Sequence, residues 1–379
     1  MINKERVIEE FKRLVSFDSE SFKEIEISEY VYNTLKDLGL DLTIDNAGDL
    51  LARENGFDFK HSKGNIYGYL KGTGNDSVLF SSHLDTVSPG INKKAIIDEN
   101  GVIKSDGTTV LGADDISGLV SIIEALRNIK ENNLKHKDIE VLIPIAEEPY
   151  CQGTKYFDFS KIKSKKAYVL DLDGPVGNAA ISAPSIISFT IEIFGLSAHA
   201  GFHPEDGINA ITILGNALSK IKVGRLNEKT LLNFGKVYGG LQRNSVPDYV
   251  NIIGEVRSLD REEAIQTLDG VKAIFEEEAL KIGGKIKLDY DVKIEAYNVK
   301  KDSDTVKDFI NALSKLGYKG PELINTFGGS DNNNLNKHGI QGIVISSGMN
   351  LCHTVNEYTS VDELIKSIKI VLTLMLDTK

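Results

Sequence analysis

Cysteine is scarce in this chain: two in 379 residues, Cys151 and Cys352. A disulfide framework is therefore excluded, and a reducing cytoplasm is the compartment the composition fits. The two lie far apart in sequence, which argues against a thiolate metal site, since such sites draw on closely spaced cysteine pairs. Long apolar runs are also missing. No window approaches the roughly 18 consecutive apolar residues of a membrane span, and the charged, helix-patterned N-terminus has no apolar signal-peptide core. Positive charge is in deficit. Lys and Arg number 44 against 55 Asp and Glu, for a formal net charge of −11. With no basic stripe to offset that balance, nucleic acid and anionic membranes are not expected partners. Internal repeats and low-complexity tracts are absent as well.

What remains is an ordinary globular composition, 41% hydrophobic and 26% charged. The length of 379 residues exceeds the roughly 250–300 residues at which single cores stop growing, so two domains are expected. Helical periodicity marks Lys4–Val15 and Ile27–Leu38. Short strands are predicted at Asn65–Leu70, Val78–Phe80, Glu140–Ile145 and Ala167–Leu170. A hairpin turns at Glu99-Asn100-Gly101, and a buried helix follows Asp115. The nearly continuous apolar character of these strands is that of a mostly parallel sheet covered on both faces, and their alternation with helices predicts an α/β/α layered domain. From Ile187 to Ile193 the pattern becomes strictly alternating. Residues 181–297 read as an inserted α+β domain of order β-α-β-β-α-β. The α/β pattern resumes after about Asn298, so the α/β/α domain is expected to be discontinuous, 1–180 and 298–379.

Five segments carry chemistry: Ser82-His83-Leu84-Asp85, Gly112-Ala113-Asp114-Asp115, Ala146-Glu147-Glu148, Val169-Leu170-Asp171 and Cys352-His353 through Glu357. Three sit where an apolar strand ends, which is where α/β sheets gather functional groups. Imidazole and carboxylate suit zinc and its neighbours. His83 and Asp85 share a face if the strand persists, one to ligate and one to orient. For that dipeptide alone a satisfied core histidine is the commoner outcome, about two times in three. Either acid of Asp114-Asp115 is a natural helix cap, yet two adjacent acids repel in a way a cation relieves. A carboxylate there can bridge two metals ~3.5–4 Å apart. Glu147-Glu148 ends a buried strand, where a surface explanation is weak. One can ligate while the other moves a proton. Asp171 closes its strand, with Asp173 as a rival in a turn-forming Asp-Gly pair.

In this order the segments resemble the di-zinc exopeptidase family of peptidase T, carboxypeptidase G and aminoacylase type, its aminotripeptidase branch above all. His83-Leu84-Asp85-Thr86, Leu111 to Asp115, Glu147-Glu148 with Gly153 to Asp158, and Gly328-Gly329-Ser330-Asp331 carry the likeness. The resemblance implies two zinc ions per subunit, with cobalt or manganese as substitutes. His83 and Asp171 would bind one, Glu148 and His353 the other, and Asp114 would bridge them. Asp85 would hold the His83 tautomer, and Glu147 would be general base and acid toward a metal-bridging water. His199, in Ser197-Ala198-His199-Ala200-Gly201, would reach the active site, in dimers across the interface. Arg257 would bind the substrate carboxylate. Departures are Ile116 where the family commonly has Lys, Tyr150 where it has Gly, and an extra residue after Asp171 that keeps Asp173 in play. The expected activity is release of the N-terminal residue from short peptides. The rivals are an amidohydrolase acting on dipeptides or N-acyl amino acids, and a metal- or peptide-binding protein without catalysis. The resemblance further makes 1–180 with 298–379 the catalytic domain and 181–297 a lid or dimerisation domain, through which a homodimer is the expected assembly.

Overall fold

The computed structural model describes residues 2–56, 63–74 and 76–377. By contact the chain divides into two units: Met1–Ser182 with Val299–Thr326 and Ser330–Lys379, and Ala183–Asn298 with Phe327–Gly329. The short stretch Phe327–Gly329, which the sequence reading assigned to the catalytic domain, groups with the second unit. Met1 and Lys379, the outer limits of that reading, lie outside the described residues.

The first unit is built on a sheet whose centre is parallel. Seven of its nine strands among the described residues, in spatial order, are Asp41–Ile44, Ile66–Leu70, Asp138–Ile143, Ser77–Ser81, Lys166–Leu172, Gln341–Ser346 and Ala179–Ala183. The four from Asp138–Ile143 to Gln341–Ser346 run parallel, and the flanking pairs are antiparallel. Ser77–Ser81 and Asp138–Ile143 are buried along all but their first residue, as expected of strands covered on both faces. The helices Lys4–Val15, Ala113–Asn132 and Val361–Met375 pack on one another. Their apolar stripes hold Phe11, Leu119, Ile123, Ile368 and Val371, each fully buried. The hairpin forms as expected, Ile96–Ile97 against Val102–Lys104, with Gly101 at φ 77° supplying the turn. The strand Asp41–Ile44 and the helix Ala47–Asn55 were not foreseen. Neither carries an apolar run: Asp41–Ile44 alternates exposed and half-buried residues, and Ala47–Asn55 buries only Ala47, Gly48 and Leu51.

The second unit is wholly antiparallel, in the order Gly224–Arg225, Thr230–Gly239, Tyr249–Ser258, Ser185–Phe194 and Lys285–Ile294. Burial alternates along Tyr249–Ser258 and most of Ser185–Phe194. The inward residues Ile187, Phe189, Ile191, Val250, Ile252 and Val256 share one core with Ile213 and Phe275 of the helices Ala210–Lys220 and Arg261–Lys281. Each such side chain contributes roughly 1.5–3 kcal/mol by leaving water. The first of these helices is capped by Asn209, whose side chain accepts from Ile211 and Thr212 N–H.

Candidate metal centre

Four parallel strands deliver the site at their carboxyl ends. His83 follows Ser77–Ser81, Glu147 and Glu148 follow Asp138–Ile143, Asp171 is the penultimate residue of Lys166–Leu172, and His353 lies in the loop beyond Gln341–Ser346. Asp114 and Asp115 stand at the start of Ala113–Asn132 but with non-helical backbone angles. The strand before His83 ends at Ser81, so the shared strand face expected for His83 and Asp85 is not what joins them.

Two groups of candidate ligands result: His83, Asp114 and Asp171, and Asp114, Glu148 and His353, the donor atoms of each lying within 4.8 Å of one another. Asp114 belongs to both. Its Oδ1 is 3.1 Å from His83 Nε2 and its Oδ2 is 3.1 Å from His353 Nε2. His353 Nε2 is also 2.9 Å from Glu148 Oε2, and His83 Nε2 is 4.0 Å from Asp171 Oδ1. Asp173 belongs to neither group, and its backbone oxygen accepts from Ser346 Oγ. Glu147 is likewise in neither group, though its Oε2 approaches His83 Nε2 to 3.9 Å. The members of the two groups and Glu147 are buried or nearly so except His353, whose side chain is 53% exposed, and Asp173 is exposed.

The electrostatics show why these carboxylates need a cation. Burial pushes Glu147 and Asp171 well above the usual carboxyl range; Asp331 and Glu148 add to the first, and Glu147 and Asp114 to the second. Glu148 is raised by burial and by Asp114. Burial would raise Asp114 too, but hydrogen bonds from His353 and His83 outweigh it and hold that carboxyl well below its ordinary value. Hydrogen bonds to Asp114 and Glu148 raise His353 to about 10. Glu148 Oε1 is buried and meets no hydrogen-bond donor among the described residues. Imidazoles and carboxylates converging with an orphaned oxygen among them fit a pair of zinc-like divalent cations.

The surrounding partners add to the role expected of Asp85. His83 Nδ1 lies 2.9 Å from the backbone oxygen of Asp85 but 3.5 Å from its carboxylate. The backbone oxygen thus sets the tautomer, leaving Nε2 for the ligand group. The Asp85 carboxylate also accepts from the N–H groups of Glu147 and Glu148 at 2.9 and 3.2 Å, and from Ser21 Oγ at 2.7 Å. Glu357, whose segment carries His353, accepts from Gly112 N–H at 2.7 Å and Asp114 N–H at 2.9 Å, joining two ligand loops. The Cys151 thiol, 3.3 Å from Glu147 Oε1, donates to it, and burial keeps that thiol protonated. Ala146, Tyr150 and Cys151 have φ of 47°, 71° and 54°, a left-handed geometry costing non-glycine residues roughly 1–3 kcal/mol each.

His199 and Arg257 belong to the second unit. His199 Nδ1 accepts from the N–H groups of Gly201 and Phe202, each at 3.2 Å, so its proton resides on Nε2. Arg257 is paired with Glu255 through Nε at 2.8 Å and Nη2 at 3.3 Å, and Nη1 donates to the Phe327 oxygen at 3.0 Å. All three of those residues line one cavity with Asn233. The bidentate grip of Glu255 on Arg257 was not foreseen.

Residues 79–377 match the Peptidase family M20/M25/M40. The chain is 39% identical to the uncharacterized protein YqjE of Bacillus subtilis, over 99% of both chains. Among solved structures it resembles the aminopeptidase PepT of Bacillus cereus, with TM-score 0.90 and 37% identity over 99% of this chain and 98% of that one. It also resembles a tripeptidase of Staphylococcus aureus, with TM-score 0.93 and 32% identity over the same shares. With the ligand groups, the parallel-centred fold and these likenesses together, the chain belongs to peptidase family M20/M25/M40 and is a metallopeptidase.

Proposed function

We propose that this metallopeptidase releases the N-terminal residue of short peptides, tripeptides above all, using two zinc ions. The position of Asp114, one oxygen toward each ligand group, is the observation that carries the two-ion reading. The names aminopeptidase and tripeptidase borne by two solved relatives support the choice of substrate. His83, Asp114 and Asp171 would hold one ion, and Asp114, Glu148 and His353 the other. When bound, such a pair supplies Lewis acidity to the peptide carbonyl and makes a water acidic near neutral pH.

Glu147 handles the protons. Its Oε1 is occupied by the Cys151 thiol, and its Oε2 faces the ligands. Oε2 therefore takes the proton of the attacking water and returns it to the nitrogen of the leaving amine. The Nε2–H of His199 donates to the carbonyl oxygen as that oxygen gains charge. Arg257 offers the Nη–H donors not given to Glu255 and Phe327 to the substrate carboxylate.

Profiling tripeptides, dipeptides and N-acetyl amino acids against zinc-loaded protein tests the substrate. Tripeptides should lead in kcat/KM by at least ~10-fold, the scale of one discriminating contact, and blocking their N-terminal amine should abolish turnover. A preference for N-acetyl amino acids would replace this reading with the amidohydrolase one, and no hydrolysis by loaded protein would leave a binder.

The strand Lys285–Ile294 is an outer strand of its sheet, an edge that a second copy can pair with, and we expect a homodimer. His199→Ala should cost ~10²–10³-fold in kcat, as loss of an oxyanion donor does. Mixed with Glu147→Gln protein under subunit exchange, it should recover activity if His199 serves the partner's site, because one site then holds both native groups. No recovery despite demonstrated exchange assigns His199 to its own chain.

A further inference from the structure

The turn bearing Glu147 and Glu148 is gripped from below by two carboxylates. Three successive backbone N–H groups point into them. Ala146 donates to Glu24 Oε1 at 3.0 Å, Glu147 to Asp85 Oδ1 at 2.9 Å and Glu148 to Asp85 Oδ2 at 3.2 Å. Both carboxylates are tied to one N-terminal segment. Glu24 Oε1 also accepts from Phe22 N–H at 2.8 Å, and Ser21 Oγ donates to Asp85 at 2.7 Å. Ser21 is itself anchored, its N–H reaching the Thr86 oxygen at 3.3 Å. The turn requires such a grip. Ala146 at its start has φ 47°, and Tyr150 and Cys151 at its end have 71° and 54°, a conformation that persists only when its surroundings over-determine it.

Glu24 is an odd choice for a merely stabilising group. It is 0% exposed, and its Oε2 meets no donor among the described residues. A buried polar atom left without a partner is costly, so an apolar side chain would serve the core better. What an apolar residue cannot do is bond the Phe22 and Ala146 N–H groups at once.

We propose that Glu24 is a positioning residue for the peptidase reaction: through Ala146 N–H it fixes the turn that aims Glu147 at the proton and Glu148 at the metal. It touches neither substrate nor ion. The proposal rests on the roles given above to Glu147 and Glu148.

Two variants separate positioning from folding. Glu24→Gln keeps length and an acceptor oxygen. Glu24→Asp keeps the carboxyl group but is one methylene too short to bring one oxygen to both N–H groups. In Glu24→Asp, hydrogen exchange of the Ala146–Glu148 amides should quicken at least ~10-fold, with the Ile139–Ile143 amides unchanged. Zinc affinity, read by competition with a chelator, should fall ~10–100-fold, the usual effect of losing an outer partner of a ligand. Turnover should fall up to ~10²-fold, the scale of a small misplacement, with KM within about twofold. Glu24→Gln should restore all three readings to near the native values. Native exchange, affinity and turnover in Glu24→Asp would overturn the proposal. So would loosening that spreads equally to Ile139–Ile143, which marks a structural role. Glu147→Gln is measured in parallel. If it keeps its turnover, the base assignment has failed, whereas the exchange of the 146–148 amides still judges the grip itself.

Discussion

Glu147→Gln is expected to lower kcat by at least ~10²-fold with both ions retained, within the ~10²–10⁴-fold contribution of a general base. Glutamine keeps the length of the side chain, and its amide oxygen can still accept from the Cys151 thiol, but it cannot take a proton. KM should change little, because the lost function is exercised in the transition state and not in holding the substrate. Steady-state kinetics on a tripeptide, with metal content determined on the same sample, decides the matter. Near-normal turnover would hand the proton to another group. Loss of metal would make Glu147 a ligand and leave Glu148 as the candidate base. The geometry argues against that exchange of roles, since Glu148 Oε2 is 2.9 Å from His353 Nε2 and within a ligand group, whereas Glu147 is in neither.

The residues that were legible in the sequence are those whose chemistry conflicts with their setting. An acid pair after the apolar run Val141–Ile145, an Asp closing Ala167–Leu170 and a His after Val78–Phe80 are hard to place as surface groups. The parallel centre of the sheet was legible for the same reason, since its strands are apolar throughout. Asp171 and Asp173 could not be separated from sequence, because two positions on a strand end share a face and only the three-dimensional convergence with His83 and Asp114 selects Asp171. Glu24 was invisible. It precedes the helix Ile25–Asp37, where an acid reads as a cap, and its partner Ala146 is 122 positions away. Glu357 stood within a segment singled out and Cys151 was weighed as a thiolate ligand, but the contacts they make were not foreseen, since hydrogen bonds to backbone or to a neighbouring carboxylate leave no periodic trace. Asp85 was expected to hold the His83 ring, and its carboxylate does lie 3.5 Å from Nδ1; what was not foreseen is that its main-chain oxygen is nearer to that nitrogen and that its carboxylate also serves the Glu147–Glu148 backbone.

Asp114→Asn is the substitution expected to do most to the metals. The asparagine keeps the shape of the side chain but loses the charge, and one of its two donor oxygens becomes an NH₂ that cannot ligate. Because Asp114 faces His83 with one oxygen and His353 with the other, both ions should be weakened together, beyond the ~10–100-fold typical of an outer partner. Asp171→Asn, which touches one group only, should weaken one. Glu148 and Asp171 would be relieved of repulsion from Asp114, but they belong to different ligand groups and would not rebuild the bridge. The most direct measurement is elemental analysis of gently purified, active wild-type protein beside Asp114→Asn. The account predicts about two divalent ions per chain in the first, on the pattern of carboxylate-bridged two-metal sites, and fewer than one in the second. Fully active wild-type protein without bound metal, or Asp114→Asn protein that keeps both ions and native turnover, would contradict it.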